Sequence, residues 1–369
     1  MNQPKAIVAQ SREVSPLPPT DPSVPDTDLT PLPPRQSRFL WLTPLEFLSV
    51  INAPLLAVWA VKMTTWLRPA LVDSHRRGPK PVYPDSLILL IAFIQTAWQF
   101  SYEMMIDYLR ARPQLAQFIG CPLNADGRVR VISVGQYWER RRALGTWPFL
   151  FFFIGMVWQL VKAGVIAGSD LVLDSSVLNA WFHDDPDAAW SFPKPWKGST
   201  WGFKIHTLLC RWSSLPVMFL ITPANRHDCL WAIPLLLATV ACYGFQVRIV
   251  RADAAYFSVA ILCFIRYVLH ASFVIDYNLR RKGKKSVATL FFLDQWRFHC
   301  GFRTVIERHF AWAKRYFGLN SSHYQGWTAM TQHAALVYAV MLGVALAAER
   351  FGRPDLRLSR KGVLAAKTP

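Results

Sequence analysis

The sequence predicts an α/β (α+β) fold: a mixed five-stranded sheet flanked by helices, preceded by a helical region. Three observations carry this reading. From Arg38 to about Ala167, apolar residues recur at helical spacing. From Gly168 the pattern changes to short β-branched runs. After the third run, strands alternate with helices, the pattern of a mixed sheet covered on its faces.

The elements follow in order. Thr43-Pro-Leu-Glu46 has capping-box spacing, in which the Thr and Glu side chains each meet a backbone donor of the other. Pro84-Asp85 opens a helix over 86–100, with Asp85 as its N-cap. Ser101 opens the next, which runs to about Arg110 ahead of Pro113. Ser133 caps a helix over 134–144 that carries Glu139-Arg-Arg-Arg142. Pro148 starts an apolar helix ending near Gly164. Strands are expected over 171–174, 202–210, 217–222, 246–250 and 272–276, and helices over 230–242, 257–269, 301–316 and 327–350.

Composition bounds the function. Hydrophobic residues make up 52% of the 369, enough for a large core. Lys and Arg number 41 against 23 acidic residues, a formal charge of +18, which predicts attraction to nucleic acid or an anionic surface. The six cysteines form no C-x-x-C pair, so they read as small buried side chains in a reducing cytosol. The N-terminal stretch lacks the apolar run of a signal peptide. Residues 1–37 hold nine of the 26 prolines and are expected to be disordered. Mean hydropathy is +0.19, which raises the question of membrane spans. The apolar runs 87–98, 147–161 and 334–348 each stop short of the roughly 20 residues a span needs, so they are expected as buried helices, with no membrane partner.

Asp174 ends one strongly apolar strand and Asp253 follows another. Carboxylates at the carboxyl ends of sheet strands sit where such sheets place ligands. Glu307 shares a helix face with Arg303 and Lys314, so it can reach them. Three convergent carboxylates suit Mg²⁺ or Mn²⁺, hard ions that prefer oxygen. The alternative is that the aspartates cap strands and Glu307 simply pairs with Arg303. Lys204 and His206 alternate onto one strand face with Gly202 and read as a DNA-facing edge, with a structural histidine as the alternative. Asn225, His227 and Asp228 form a polar turn that Asx geometry also explains. Arg280, Arg281, Lys282, Lys284 and Lys285 make a cationic loop suited to phosphate contacts. Arg128, Arg130, Arg140, Arg141 and Arg142 surround the 134–144 helix, which could read a DNA end or be a plain basic helix.

Several motifs fall in one order. Asp174-Ser-Ser comes first, then Gly202-Phe-Lys-Ile-His206, Pro223-Ala-Asn-Arg-His227-Asp228 and Asp253-Ala-Ala-Tyr256, and last Arg303-x3-Glu307-x6-Lys314. In this order they resemble the DDE transposases of bacterial insertion sequences, in the branch marked by a Tyr-x2-Arg-x3-Glu-x6-Lys signature. The resemblance covers roughly residues 75–350. It implies a ribonuclease-H-like core and two Mg²⁺ (or Mn²⁺) ions on Asp174, Asp253 and Glu307. It also implies phosphate contacts by Arg303 and Lys314, double-stranded DNA partners (terminal inverted repeats and target), and a homodimer on DNA. The corresponding organisation is a tail at 1–37, a helical DNA-binding region at 38–167, a catalytic domain at 168–350 and a basic tail at 351–369. Only 54 positions separate Asp253 from Glu307, too few for a large inserted β domain. Cys300 stands where the signature has its tyrosine, a residue that with the arginine handles the DNA end. That departure opens a second expectation: a decayed or domesticated DNA-binding protein of transposase origin.

Overall fold

The structure is a computed structural model that describes residues 82–193, 198–275, 301–320 and 323–365. The expected tail at 1–37, the capping box at Thr43, the cationic loop Arg280–Lys285 and Cys300 lie outside these residues.

The sheet is built on β1 (Asp170–Asn179), whose first four residues are buried. β1 pairs antiparallel with β3 (Trp201–Cys210), and β3 pairs antiparallel with β4 (Pro216–Pro223). On its other side β1 pairs parallel with β5 (Ile249–Ala252), which pairs parallel with β6 (Ser272–Ile275). The order β4-β3-β1-β5-β6 is the mixed sheet expected of a ribonuclease-H-like core. A sixth strand was not foreseen: β2 (Ala189–Trp190), two residues long, pairs with the start of β3. Gly202 permits the close crossing of β3 over β1, since a Cβ there would lie 2.0 Å from the Leu178 carbonyl.

Among the described residues five helices precede the sheet: α1 (Asp85–Trp98), α2 (Tyr102–Arg110), α3 (Pro113–Phe118), α4 (Val134–Ala143) and α5 (Trp147–Lys162). Ser101 and Ser133 cap α2 and α4 as expected, accepting from the Met104 and Gln136 amides. Asp85 does not cap α1. Pro84 is the N-cap, and Asp85, already in the first turn, turns its carboxylate to the Arg140 guanidinium. After β4 comes α6 (Cys229–Tyr243), and after β5 comes α7 (Val259–Cys263), which continues as one π-helical turn. α8 (Thr304–Tyr316), α9 (Trp327–Arg350) and α10 (Arg360–Ala365) complete the described chain.

The sheet's two faces carry different helices. Asp174 pairs with Thr207, and Thr207 with Phe219, so these three share a face. Tyr338 of α9 meets that face, its hydroxyl 2.7 Å from Thr207 Oγ1 and its ring packed edge-on to Phe219. Phe153 of α5 packs against Phe219 as well. The opposite face carries His206, beside Trp231 of α6.

α9 is the axis of the core. It has 24 residues and by length and composition could cross a membrane, yet 94% of its apolar window is buried by protein. A helix apolar all round needs cover on every side, and α5 and α1 supply it beside the sheet. Gln332 of α9 donates to the carbonyls of Arg141 and Gly145, and Tyr137 of α4 donates to Gln95 of α1. The helical region and the sheet therefore share one hydrophobic core. Of the cysteines, Cys121 and Cys210 are buried as expected, whereas Cys263 is exposed.

His333 of α9 is buried, with its Nε2 3.0 Å from the Gly318 carbonyl. Burial lowers its pKa to about 4, so the folded protein keeps it neutral. The unfolded chain takes up a proton near pH 6.5, and stability falls as pH drops from there toward 4. We predict a loss approaching about 3 kcal/mol at pH 4 from this histidine. Urea melts from pH 7 to 4 should show the slope, and His333→Gln should make it shallower.

Candidate active site

Strand pairing sets the two aspartates side by side. The parallel ladder between β1 and β5 ends at Leu173 and Ala252. Asp174 and Asp253 are the next residues on each chain. Asp174 is not at a strand end, as the sequence suggests, because β1 continues to Asn179 along β3. It lies instead where the parallel partner stops. The Asp174 carboxylate accepts from the Ser175 amide at 2.7 Å, and that of Asp253 from the Ala255 amide at 2.9 Å. Burial, then the like charge of Asp253, pushes the Asp174 pKa up to about 7 against the pull of Arg303.

α8 crosses the face that carries Asp174. Arg303, at its start, lies 2.9 Å from Glu307 and 3.6 Å from Asp174, so one guanidinium links both carboxylates. Glu307 is half exposed and Arg303 is 29% exposed. The helix is held at both ends. Phe302 lies over Arg211, 3.7 Å from guanidinium to ring centroid, and near Arg251. Those arginines close on the buried Asp170, Arg251 through Nε at 2.9 Å and Arg211 through NH1 at 3.2 Å. At the far end Lys314 donates to Ser176 Oγ at 2.8 Å and to the Val177 carbonyl at 2.7 Å.

Several residues expected to meet DNA are engaged inside the protein. Lys204 and His206 do not line a sheet edge, because β3 lies between β1 and β4 and both side chains are buried. Lys204 bonds the Arg226 carbonyl at 2.8 Å and Asp228 at 3.0 Å. His206 pairs with Thr222 Oγ1 at 2.9 Å, and burial keeps its imidazole neutral, with a pKa lowered to about 4. Its 3.7 Å approach to Asp228 is therefore not an ion pair. Arg141 is 2% exposed, bonded to Gln95 and set over the rings of Tyr102 and Tyr324. Arg140 is tied to Asp85 and to the Tyr83 carbonyl. Arg303 is part-exposed, beside Asp174 and Glu307.

The sequence undervalued other groups. Asp228 reads as a turn residue, yet Ser175 Oγ donates to it at 2.7 Å. Tyr256 is buried, its hydroxyl has no hydrogen-bond partner among the described residues, and burial with the fields of Asp228, Asp174 and Asp253 raises its pKa far above normal. Asp185 and Asp187 accept from the Gly326 and Trp327 amides at 2.8 Å, capping α9. This gives the tryptophan-rich 181–190 segment an anchor. Its Trp181 and Trp190 remain exposed.

Among the described residues no three His, Cys, Asp or Glu stand close enough to hold an ion as placed. The donor set still fits a divalent cation. The like charge of Asp253 adds to the cost of ionising Asp174, and the buried Tyr256 hydroxyl lies in the same field. Arg303 now supplies the positive charge between Asp174 and Glu307.

Residues 167–342 match the sequence model of a family described as the transposase DDE domain. Among solved structures, the chain is similar to piggyBac transposase in a cryo-EM synaptic complex with hairpin DNA. That likeness has 10% identity and a TM-score of 0.46, over 87% of this chain and 80% of that one. It is similar also to Mos1 transposase in a paired-end complex with the left transposon end, at 10% identity and a TM-score of 0.20, over 67% and 84%. No curated protein matches the chain.

Lys314 tests the geometry. Lys314→Ala removes two hydrogen bonds from a charged donor, so we predict a loss of about 2 kcal/mol in urea unfolding. A lysine serving only phosphate contacts would leave stability unchanged.

Proposed function

We propose that this chain is a DNA transposase that hydrolyses a phosphodiester at each end of a mobile element and transfers the freed 3′-hydroxyl into target DNA. The observation that supports it most is the pair Asp174 and Asp253 just beyond the end of the parallel ladder, with Asp174 beside Arg303, which also pairs with Glu307 of α8. Asp174, Asp253 and Glu307 are the residues that would hold Mg²⁺ or Mn²⁺. Two such ions would polarise the phosphodiester, lower the pKa of the attacking water and neutralise charge on the leaving oxygen.

The chain's own residues do the positioning. β1 and β5 fix the two aspartates on a rigid sheet, so their carboxylates need little rearrangement when substrate enters. Arg303, partly exposed between Asp174 and Glu307, is placed to bind the scissile phosphate. Phe302 and Lys314 hold the helix that carries it. Hydrolysis and strand transfer are both in-line displacements at phosphorus, so one site serves both and no covalent protein nucleophile is needed. The formal charge of +18 draws the polyanion in, and the cationic segment Arg280–Lys285 is assigned sequence-independent phosphate contacts. Two copies would hold two ends together, which makes a homodimer on inverted-repeat DNA the working assembly, in the cytoplasm.

Cys300 favours a second reading, a decayed copy that binds DNA ends without cutting them. One experiment separates the two: nicking of a duplex carrying the repeats that flank the gene, with Mg²⁺ or Mn²⁺. The wild type is predicted to nick at the repeat end. Asp253→Asn should lose this by at least about 100-fold while DNA affinity survives. Binding without nicking by the wild type would establish the decayed copy, and no DNA binding would reject both readings.

A further inference from the structure

Consecutive strand residues point to opposite faces, so Asp174 faces α8 while Ser175 faces the side covered by α6. Ser175 is gripped there, its Oγ donating to Asp228 at 2.7 Å. Its amide meanwhile donates to the Asp174 carboxylate at 2.7 Å. Asp228 is itself anchored by buried Lys204 at 3.0 Å, which also holds the Arg226 carbonyl, so the turn and β3 are tied together beneath the strand. We infer that Asp228 is a positioning residue for the Asp174 carboxylate, acting through Ser175 with Lys204 as its anchor.

Stability alone is a poor reason for such a pair. A Lys–Asp pair with a buried lysine loses much of its attraction to desolvation, and apolar residues of similar size often serve a fold as well or better. Here the pair stands one residue from Asp174, on the far side of the strand that carries it. Groups that orient a metal-binding carboxylate from behind act in this way, and their loss commonly costs about 10- to 100-fold in affinity. Asp228 touches neither substrate nor Asp174 directly on this account. The inference rests on the function proposed above and deepens it.

The test uses the full-length chain, Mn²⁺ as probe with free ion read by electron paramagnetic resonance, and nicking of the repeat-end duplex. Ser175→Ala and Asp228→Ala are expected to weaken Mn²⁺ binding by about 10- to 100-fold, with duplex affinity unchanged. Ser175→Thr and Asp228→Asn keep a hydroxyl and an acceptor, and should stay within about threefold of wild type. The double variant Ser175→Ala/Asp228→Ala should lose no more than either single, because both break one connection. Should Asp228→Ala fail to fold, Ser175→Ala and Asp228→Asn carry the test. Normal Mn²⁺ affinity in Ser175→Ala, or losses that add in the double variant, would overturn the inference while leaving the function intact. A wild type that neither binds Mn²⁺ nor nicks would overturn the proposed function and this inference together.

Discussion

The arrangement depends on one constraint: the parallel ladder between β1 and β5 stops where two carboxylates begin. Neighbouring strands lie about 4.8 Å apart, so residues in register cannot avoid one another. Burial and the like charge of Asp253 make the Asp174 carboxylate costly to ionise. Arg303 sets a positive charge beside Asp174 and shares it with Glu307. Everything around it limits movement. Asp170 locks Arg251 and Arg211 under Phe302, Lys314 fastens the other end of α8 to β1, and Ser175 is held from the opposite face. Asp174 is thus held from the backbone and from both faces of the strand, and the Arg303 guanidinium lies between it and Glu307.

Much of this was legible in the sequence. Leu171-Val-Leu, the alternation from Gly202 to Cys210 and the apolar run before Asp253 located the central strands to within a few residues. Ser101 and Ser133 marked helix starts because their side-chain oxygens meet amides three residues on, a purely local rule. The spacing of Arg303 and Glu307 offered their pairing as the alternative to a metal site, and the two do pair, again by a local rule.

What failed was non-local. Alternation shows that Lys204 and His206 share a face, but not that β4 closes over β3 and buries both. Basic residues in the 134–144 helix looked like a DNA-reading surface. Arg141 points instead at Gln95 on α1, more than forty residues away, and Arg140 at Asp85. Asp228 resembled a turn residue because its partners, Ser175 and Lys204, lie on two other strands. The end of β1 was misplaced because antiparallel pairing with β3 carries it past the point where polar residues begin. The apolar run of α9 was expected as a buried helix, but which elements cover it, α5, α1 and the sheet, shows only in the packing.

The central claim is that Asp253 binds the catalytic metal directly, beside Asp174. Replacing Asp253 by Cys exchanges a hard oxygen ligand for a soft sulfur, which Mg²⁺ avoids and Mn²⁺ tolerates better. The decisive measurement is nicking of repeat-end DNA by Asp253→Cys in each metal, beside the wild type. The account predicts no nicking in Mg²⁺ and partial recovery in Mn²⁺. Nicking at the wild-type rate in Mg²⁺ would contradict it.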